Sequence, residues 1–374
     1  MTHSLSKEEL SRYSRHISLQ EVGLAGQEKI KAASVLVIGA GGLGCPALQY
    51  LAAAGVGRIG IIDFDKVDVS NLQRQILYGT DDVGKYKAEA AKARLSFNNP
   101  LISFITYTEQ LNKDNVLSIL PSYDIIVDGS DNFSTRYLVN DACVILNKPL
   151  VFGSIFKFDG QVSVFNYSDE KGTKGPTYRC LYPEPPADGE MPSCSEIGVL
   201  GVLPGLIGTL QANEALKLIL GLGNPLAGKL FTLDALTMQT QLFSIKANPE
   251  NYTIKELGNY DFSCETTVLQ DVIQVTELKS LLDQQADLLL LDVREQYEYD
   301  LCRLEGALLI PMNTVPHHLQ DLPKNKNIVV YCHHGMRSAS IVNFLKANGF
   351  EKISNLEGGI HAWSMEVDNT VAVY

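Results

Sequence analysis

The chain lacks an unbroken apolar run. Its longest apolar stretch, around Val199 to Leu222, is interrupted by several glycines and by Pro204, Asn213, Glu214 and Lys217, so a buried helix is expected there and not a membrane span. Residues Met1 to Leu10 lack the apolar core of a secretion signal. Basic residues are in deficit: 31 Lys and Arg stand against 43 Asp and Glu, and the formal charge of −12 argues against nucleic acid or an anionic membrane as partner. Seven scattered cysteines do not make a disulfide framework; they fit a reducing compartment. Repeats and low-complexity tracts are absent. These absences leave a soluble cytoplasmic protein as the expectation, and 374 residues suffice for two domains.

What is present alternates between strand-like and helix-like patterns. Strand Val35–Ile38 leads through Gly39-Ala-Gly-Gly-Leu-Gly44 into an Ala- and Leu-rich helix, and a second apolar run, Ile59–Ile62, stops at Asp63. Helix Lys85–Phe97, strand Ile102–Tyr107, helix Asn112–Leu120, strand Tyr123–Val127, helix Phe133–Leu146 and strand Leu150–Phe152 follow. Such alternation predicts a mostly parallel, doubly wound sheet. Residues 166–195 turn Gly-, Pro- and Ser-rich and read as a long functional loop. A polar stretch then reads as a linker, and a smaller α/β pattern begins beyond it, with strands Leu288–Asp292 and Asn327–Tyr331 and helix Met336–Asn348. The fold class expected is α/β, a Rossmann-like doubly wound sheet plus a smaller α/β domain, divided as 1–246, linker 247–270 and 271–374.

The glycine turn fits a phosphate, because backbone N–H groups approach closely there and the following helix adds positive charge at its N-terminus. Alone it suits NAD, FAD or another nucleotide, and Asp63 suits a ribose hydroxyl in each case. The run Ser70-Asn-Leu-Gln-Arg-Gln75 tilts the balance. Arg74 is a planar permanent cation suited to a triphosphate, Asn71 can donate to phosphate oxygens, Lys87 opens the next helix, and Asp131 is a hard oxygen ligand for Mg²⁺. Each has a plainer reading: Asp131 as the cap of the helix at Phe133, Lys87 as a solvated lysine, Arg74 and Asn71 as a surface pair. Their convergence on one glycine turn favours adenylyl transfer, in which phosphate charge must be neutralised.

The segments IGAGGLG, DFDKVDVSNLQRQ, VGKYKAEAAK, DGSDNFSTRYLVNDAC, FDGQVSVF, YRCLYPEPP and GVLGVLPGLIGTLQANEALKLILG resemble the MoeB/ThiF adenylyltransferases, relatives of ubiquitin-activating enzymes, over residues 5 to 245. The resemblance implies MgATP-dependent adenylation of the C-terminal glycine of a ubiquitin-like sulfur carrier with a Gly-Gly tail, in a homodimer. It implies that Gly39, Gly41, Gly42, Gly44, Asp63, Ser70, Asn71, Arg74, Lys87, Asp131 and Asn132 surround ATP, with Asp131 on Mg²⁺, and that Arg15 reaches the neighbouring subunit's site. Members often hold zinc on two CxxC pairs. Here those read Thr177-Tyr-Arg-Cys180 and Asp261-Phe-Ser-Cys264, so two of four thiolates are missing and the donor set argues against zinc. Cys194, in a polar loop, matches a family cysteine that links to the carrier's C-terminus.

Cys332 follows an apolar strand and opens Cys-His-His-Gly-Met-Arg-Ser338, a tight loop whose inward N–H groups, with Arg337, would stabilise a thiolate or persulfide. His333-His334 and His317-His318 show no convincing metal spacing. With LDVREQYE and LEGGIHAW, this loop resembles rhodanese domains over Val272 to Val373. That implies a sulfane sulfur on Cys332, positioned by Arg337 and supplied by thiosulfate or a cysteine-desulfurase persulfide, with Asp292 and Arg294 bracing the loop. The joint expectation is an adenylyltransferase and sulfurtransferase, with Cys332, Cys194, Arg74, Lys87, Asp131 and Arg337 as its catalytic residues. The alternatives are a nicotinamide oxidoreductase with a rhodanese-like tail, a cyclodehydratase acting on modified tRNA, and a non-catalytic scaffold binding a ubiquitin-like protein.

Overall fold

The computed structural model describes residues 4–169, 172–185, 198–260 and 271–373. These fall into two units, 4–260 and 271–373, each built on its own sheet. The first sheet has eight strands: β1 (Ser34–Ile38), β2 (Arg58–Ile62), β3 (Ser103–Tyr107), β4 (Ile125–Asp128), β5 (Leu150–Phe156), β6 (Asp159–Phe165), β7 (Lys229–Asp234) and β8 (Thr240–Ser244). Their order is β3-β2-β1-β4-β5-β6-β7-β8; β1 to β5 run parallel and β6 to β8 antiparallel.

Strand alternation explains why β1 reads as a continuous apolar run. Val35 and Val37 enter one core, with Leu48 and Leu51 of helix Gly44–Ala54 and Ala88, Ala91 and Leu95 of helix Lys87–Asn98. Leu36 and Ile38 enter the opposite core, with Tyr137 and Leu138 of helix Phe133–Leu146. Burial on both faces is what a central parallel strand requires. The chain winds from β1 to β2 and β3 on one side, then to β4 and β5 on the other, so the carboxyl ends of β1 and β4 flank a topological switch point, where open sheets bind ligands.

The glycine turn fills that switch point. Gly39 has φ +82°, a left-handed conformation that disfavours other residues, and a Cβ there would lie 2.9 Å from the Gly129 carbonyl oxygen. A Cβ on Gly44 would come within 1.9 Å of the Gly39 oxygen, so the turn closes only on glycine. Gly44→Ala should therefore open the turn, cost about 1–3 kcal/mol or more in urea unfolding, and remove the ATP-induced rise in melting temperature.

Several elements differ from expectation. Helix Asn112–Leu120 shrinks to Val116–Ile119, because the Asn112 side chain accepts from the Asp114 and Asn115 N–H groups and holds a turn, while Pro121 enters a short 3₁₀ segment. Strand Leu150–Phe152 extends to Phe156, paired along its length with β6. The expected linker is also shorter. Residues 247–260 pack on the first unit: Tyr260 is buried and its hydroxyl donates to Asp141 Oδ2 at 2.7 Å, Tyr252 donates to the Gly175 carbonyl, and Leu257 joins the core. These anchors are too widely spaced to show periodicity. The stretch Val199–Leu222 forms helix Val202–Leu220, whose buried Gln211 donates to the Asp128 carbonyl at 2.6 Å and ties it to the end of β4.

The second sheet has strands β9 (Val272–Ile273), β10 (Leu288–Asp292), β11 (Leu308–Leu309), β12 (Asn327–Tyr331) and β13 (Ile353–Leu356), all parallel in the order β11-β10-β12-β13-β9. Strand β12 is central, sends Ile328 and Val330 to one core and Val329 and Tyr331 to the other, and delivers Cys332 at its carboxyl end. Among the described residues no helix is long and apolar enough to cross a membrane.

Candidate active sites

A cavity of about 200 Å³ lies at the switch point of the first sheet. Gly39, Gly41, Gly42, Asp63, Arg74, Lys87, Asp131 and Asn132 all line it. Helix Gly44–Ala54 begins at its wall without a side-chain cap, and its dipole places partial positive charge there. Asp63 accepts from the Ala40 N–H through Oδ2 (2.8 Å) and from the Asp65 N–H through Oδ1 (2.9 Å), which fixes its carboxylate at the end of β2. Burial raises its pKa, and the nearby Lys87 charge pulls the other way.

Lys87 is not a solvated lysine. The segments around residues 66 and 86 pair as an antiparallel bridge, with the Val67 N–H donating to the Lys85 carbonyl and the Lys87 N–H to the Asp65 carbonyl. This places Lys87 Nζ 2.8 Å from Asp65 Oδ2, with the lysine buried and its partner half exposed. The cation is thereby held at the cavity wall before any ligand arrives. Arg74 donates to the Ser70 carbonyl at 3.1 Å and keeps its guanidinium at the wall. The capping reading of Asp131 is overturned: Asn132 is the N-cap, accepting from the Thr135 N–H at 2.8 Å, and Asp131 stays exposed on the cavity rim.

Four of the expected ATP neighbours do not line the cavity. Gly44 is consumed by closure of the turn, as above. Ser70 turns its hydroxyl to Asp68 (2.7 Å) and, with Asn71, builds a 3₁₀ turn that presents Arg74. Arg15 is exposed on the short helix Ser14–Ile17. Conversely, Arg136 and Gln75 line the cavity and were not singled out from sequence. Arg136 is buried, donates to the Ser130 carbonyl at 3.1 Å, stacks near Phe133 and Phe152, and stands by the fully buried Asp128, whose pKa burial raises. The signal was an arginine four positions after the helix cap, one turn in and therefore on the same face.

Cys180, the described cysteine of the two CxxC-like segments, is held by hydrogen bonds. Its sulfur accepts from the Asn248 N–H (3.3 Å), Asn251 Nδ2 (3.3 Å) and the Thr177 N–H (3.4 Å), and these hydrogen bonds outweigh desolvation to lower its pKa. Asp261 and Cys264 lie outside the described residues, as does Cys194.

In the second unit Cys332 is buried, and its Sγ accepts from the Gly335 N–H at 3.1 Å and Ser338 Oγ at 3.4 Å. Gly335 (φ +94°) turns the loop into helix Met336–Ala347, and its N–H points at the sulfur, as an anion-binding loop requires. Arg337 lies beside this loop and holds Glu298 through two bonds, 2.7 and 2.8 Å. Arg294 is fully buried, pairs with Asp292 at 2.6 Å, donates to the Cys302 carbonyl and lies over the ring of Tyr331, the residue before Cys332. His333 and His334 are not isolated. Both imidazoles meet His361, and burial together with its two neighbours lowers the His333 pKa to about 4.

Known proteins agree with this division. The ThiF family matches residues 13–254 and the rhodanese-like domain matches residues 274–366. A Mycobacterium tuberculosis protein described as a probable adenylyltransferase/sulfurtransferase, MoeZ, is 44% identical over 99% of this chain and 97% of its own length. A sulfur carrier protein adenylyltransferase of Thermus thermophilus is 54% identical over 69% of this chain and 98% of its own. The crystal structure of E. coli MccB with ATP superposes with a TM-score of 0.56 at 25% identity, covering 68% of this chain and 76% of that one. The chain belongs to the ThiF family and carries a rhodanese-like domain at its C-terminal side.

Proposed function

We propose that the chain is an adenylyltransferase and sulfurtransferase that activates the C-terminal glycine of a ubiquitin-like sulfur carrier and converts it to a thiocarboxylate. The carrying observation is a cavity with a glycine turn, preset cations and a rim carboxylate, in one chain with a cysteine cradled by backbone and hydroxyl donors. ATP takes the cavity with its phosphates on the Gly39–Gly44 turn and its ribose toward Asp63. The carrier's Gly-Gly tail approaches the α-phosphate, its carboxylate attacks phosphorus, and pyrophosphate leaves. Arg74 and Lys87 stabilise the charge that develops on the phosphates, in fixed positions that need little reorganisation. Arg136, one helical turn from Asn132, adds a third positive charge to the wall. An exposed carboxylate beside phosphate oxygens fits Mg²⁺, which would be held by Asp131 and would neutralise phosphate charge.

The second half needs a sulfur nucleophile. The Cys332 thiolate attacks the outer sulfur of thiosulfate or of a donor persulfide, expelling sulfite or the donor's thiolate, and the Gly335 N–H, the Ser338 hydroxyl and Arg337 favour the anionic terminal sulfur. That sulfur attacks the acyl-adenylate carbon, AMP leaves, and an acyl disulfide joins the carrier to Cys332. Attack by the Cys194 thiolate on the Cys332 sulfur breaks the S–S bond, releases the thiocarboxylate and leaves a Cys194–Cys332 disulfide, which a dithiol reductant returns to thiols. Residues 1–246 perform the first half and 271–374 the second. A homodimer in the cytoplasm, with the exposed Arg15 serving the neighbouring subunit, accords with the family resemblance.

ATP–pyrophosphate exchange tests the reading. Exchange should require a Gly-Gly-tailed carrier and disappear when the tail is shortened by one glycine. Stabilisation by NADH but not by ATP in thermal unfolding, with no exchange, would instead establish an oxidoreductase.

A further inference from the structure

The loop that holds Cys332 carries a second cluster of chemistry. His333 and His334 follow the cysteine directly, and His361 stands on the first turn of helix Gly359–Glu366. Two backbone bonds lock these segments together: the Ile360 N–H donates to the Cys332 carbonyl and the His361 N–H to the His333 carbonyl, both at 3.0 Å. The approach depends on Gly359, where a Cβ would lie 2.4 Å from both carbonyl oxygens. The three imidazoles therefore converge by construction of the fold. One ligating nitrogen from each lies within 4.8 Å of the others, and the rings of His333 and His334 are 4.2 Å apart.

Packing alone accounts poorly for this convergence. His334 is exposed, so its ring gains little by burial, and His361 Nδ1 is buried without a hydrogen-bond partner. Among the described residues no carboxylate belongs to the cluster. Three imidazoles facing one point repel each other when protonated, and a cation placed between them satisfies all three.

We propose that His333, His334 and His361 form a three-imidazole site for a divalent first-row transition metal of the zinc class. The donor chemistry selects the class: an all-nitrogen set suits Zn²⁺, Cu²⁺ or Ni²⁺ and not Mg²⁺ or Ca²⁺. With Zn–N bonds of about 2.0–2.1 Å, ligand nitrogens in a tetrahedral site lie roughly 3.3 Å apart. The observed spacing needs a closure of about 1.5 Å, within reach of side-chain rotation by exposed His334. Three protein ligands leave one tetrahedral position open.

Metal binding is measured on the full chain after chelator treatment and dialysis, by titration with Zn²⁺ against a chromophoric chelator. The wild type should bind one equivalent, and His334→Ala and His361→Ala should each weaken it at least about tenfold with unchanged melting temperature. Cys180→Ser and Cys332→Ala should bind as the wild type does, and the Co²⁺-loaded protein should lack a thiolate-to-metal charge-transfer band. Unaltered binding in His334→Ala and His361→Ala, or loss of binding in either cysteine variant, overturns the site. Failure of the wild type to bind Zn²⁺, Cu²⁺ or Ni²⁺ does so as well.

Discussion

Cys332→Ala is expected to reduce thiosulfate-dependent thiocarboxylate formation by at least about three orders of magnitude, while carrier-dependent ATP–pyrophosphate exchange stays within about twofold of wild type. The size of the first effect follows from the role of the sulfur. No other described side chain in the loop can carry a sulfane sulfur, and the donors at Gly335 and Ser338 stabilise charge only when there is an anion to receive them. The smallness of the second follows from the architecture, since the adenylation cavity is lined entirely by residues of the first unit. The substitution removes one buried sulfur atom and leaves Gly335, Ser338 and the Glu298–Arg337 pair in place, so folding should survive. Mass spectrometry of the carrier's C-terminus reads the first outcome and isotope exchange the second. Loss of both activities would mean that the halves cannot be separated; retention of thiocarboxylate would remove Cys332 from the reaction.

The two reactive centres differ in how much of them local sequence reveals. Cys332, Gly335, Arg337 and Ser338 lie within seven residues and fold into one loop, so the motif is the site. Within the first unit, the glycine turn and Asp63 were likewise visible, because a strand, a tight turn and a helix are contiguous. What escaped were contacts made at long range. The pairing of Lys87 with Asp65 depends on a bridge between segments that carry no strand signature. Arg136 reads as one more polar residue of an amphipathic helix until the packing of Phe133 and Phe152 turns it toward the cavity. His361 meets His333 only because Gly359 admits two carbonyl oxygens, a relation between positions 28 residues apart in sequence. Residues 247–260 look like a linker because Tyr252, Leu257 and Tyr260 are isolated in polar sequence, yet each finds a partner on the first unit. Periodicity detects faces of regular elements; single anchors and cross-chain charge pairs have no period.

Asp131 and Asn132 offer the sharpest separation of chemistry from structure, because they are adjacent and chemically alike. Asn132 accepts from the Thr135 N–H and caps helix Phe133–Leu146, so Asn132→Ala should cost about 1 kcal/mol, a melting-temperature loss of roughly 2–4 °C in a domain of this size. Asp131 has no part in that cap and is exposed on the cavity rim. Asp131→Ala should therefore leave the unfolding free energy within about 0.5 kcal/mol of wild type, the usual range for exposed positions. Its exchange activity should nevertheless fall by about 10²- to 10³-fold, the scale expected when one preorganised charge-stabilising group is lost. The metal role adds a second signature. If Asp131 holds Mg²⁺, the variant should need far more Mg²⁺ to reach half-maximal exchange, whereas Asn132→Ala should keep the wild-type Mg²⁺ dependence. Equal Mg²⁺ dependence in both variants would return Asp131 to the status of a surface carboxylate, and a fall in stability without a fall in rate would make it structural.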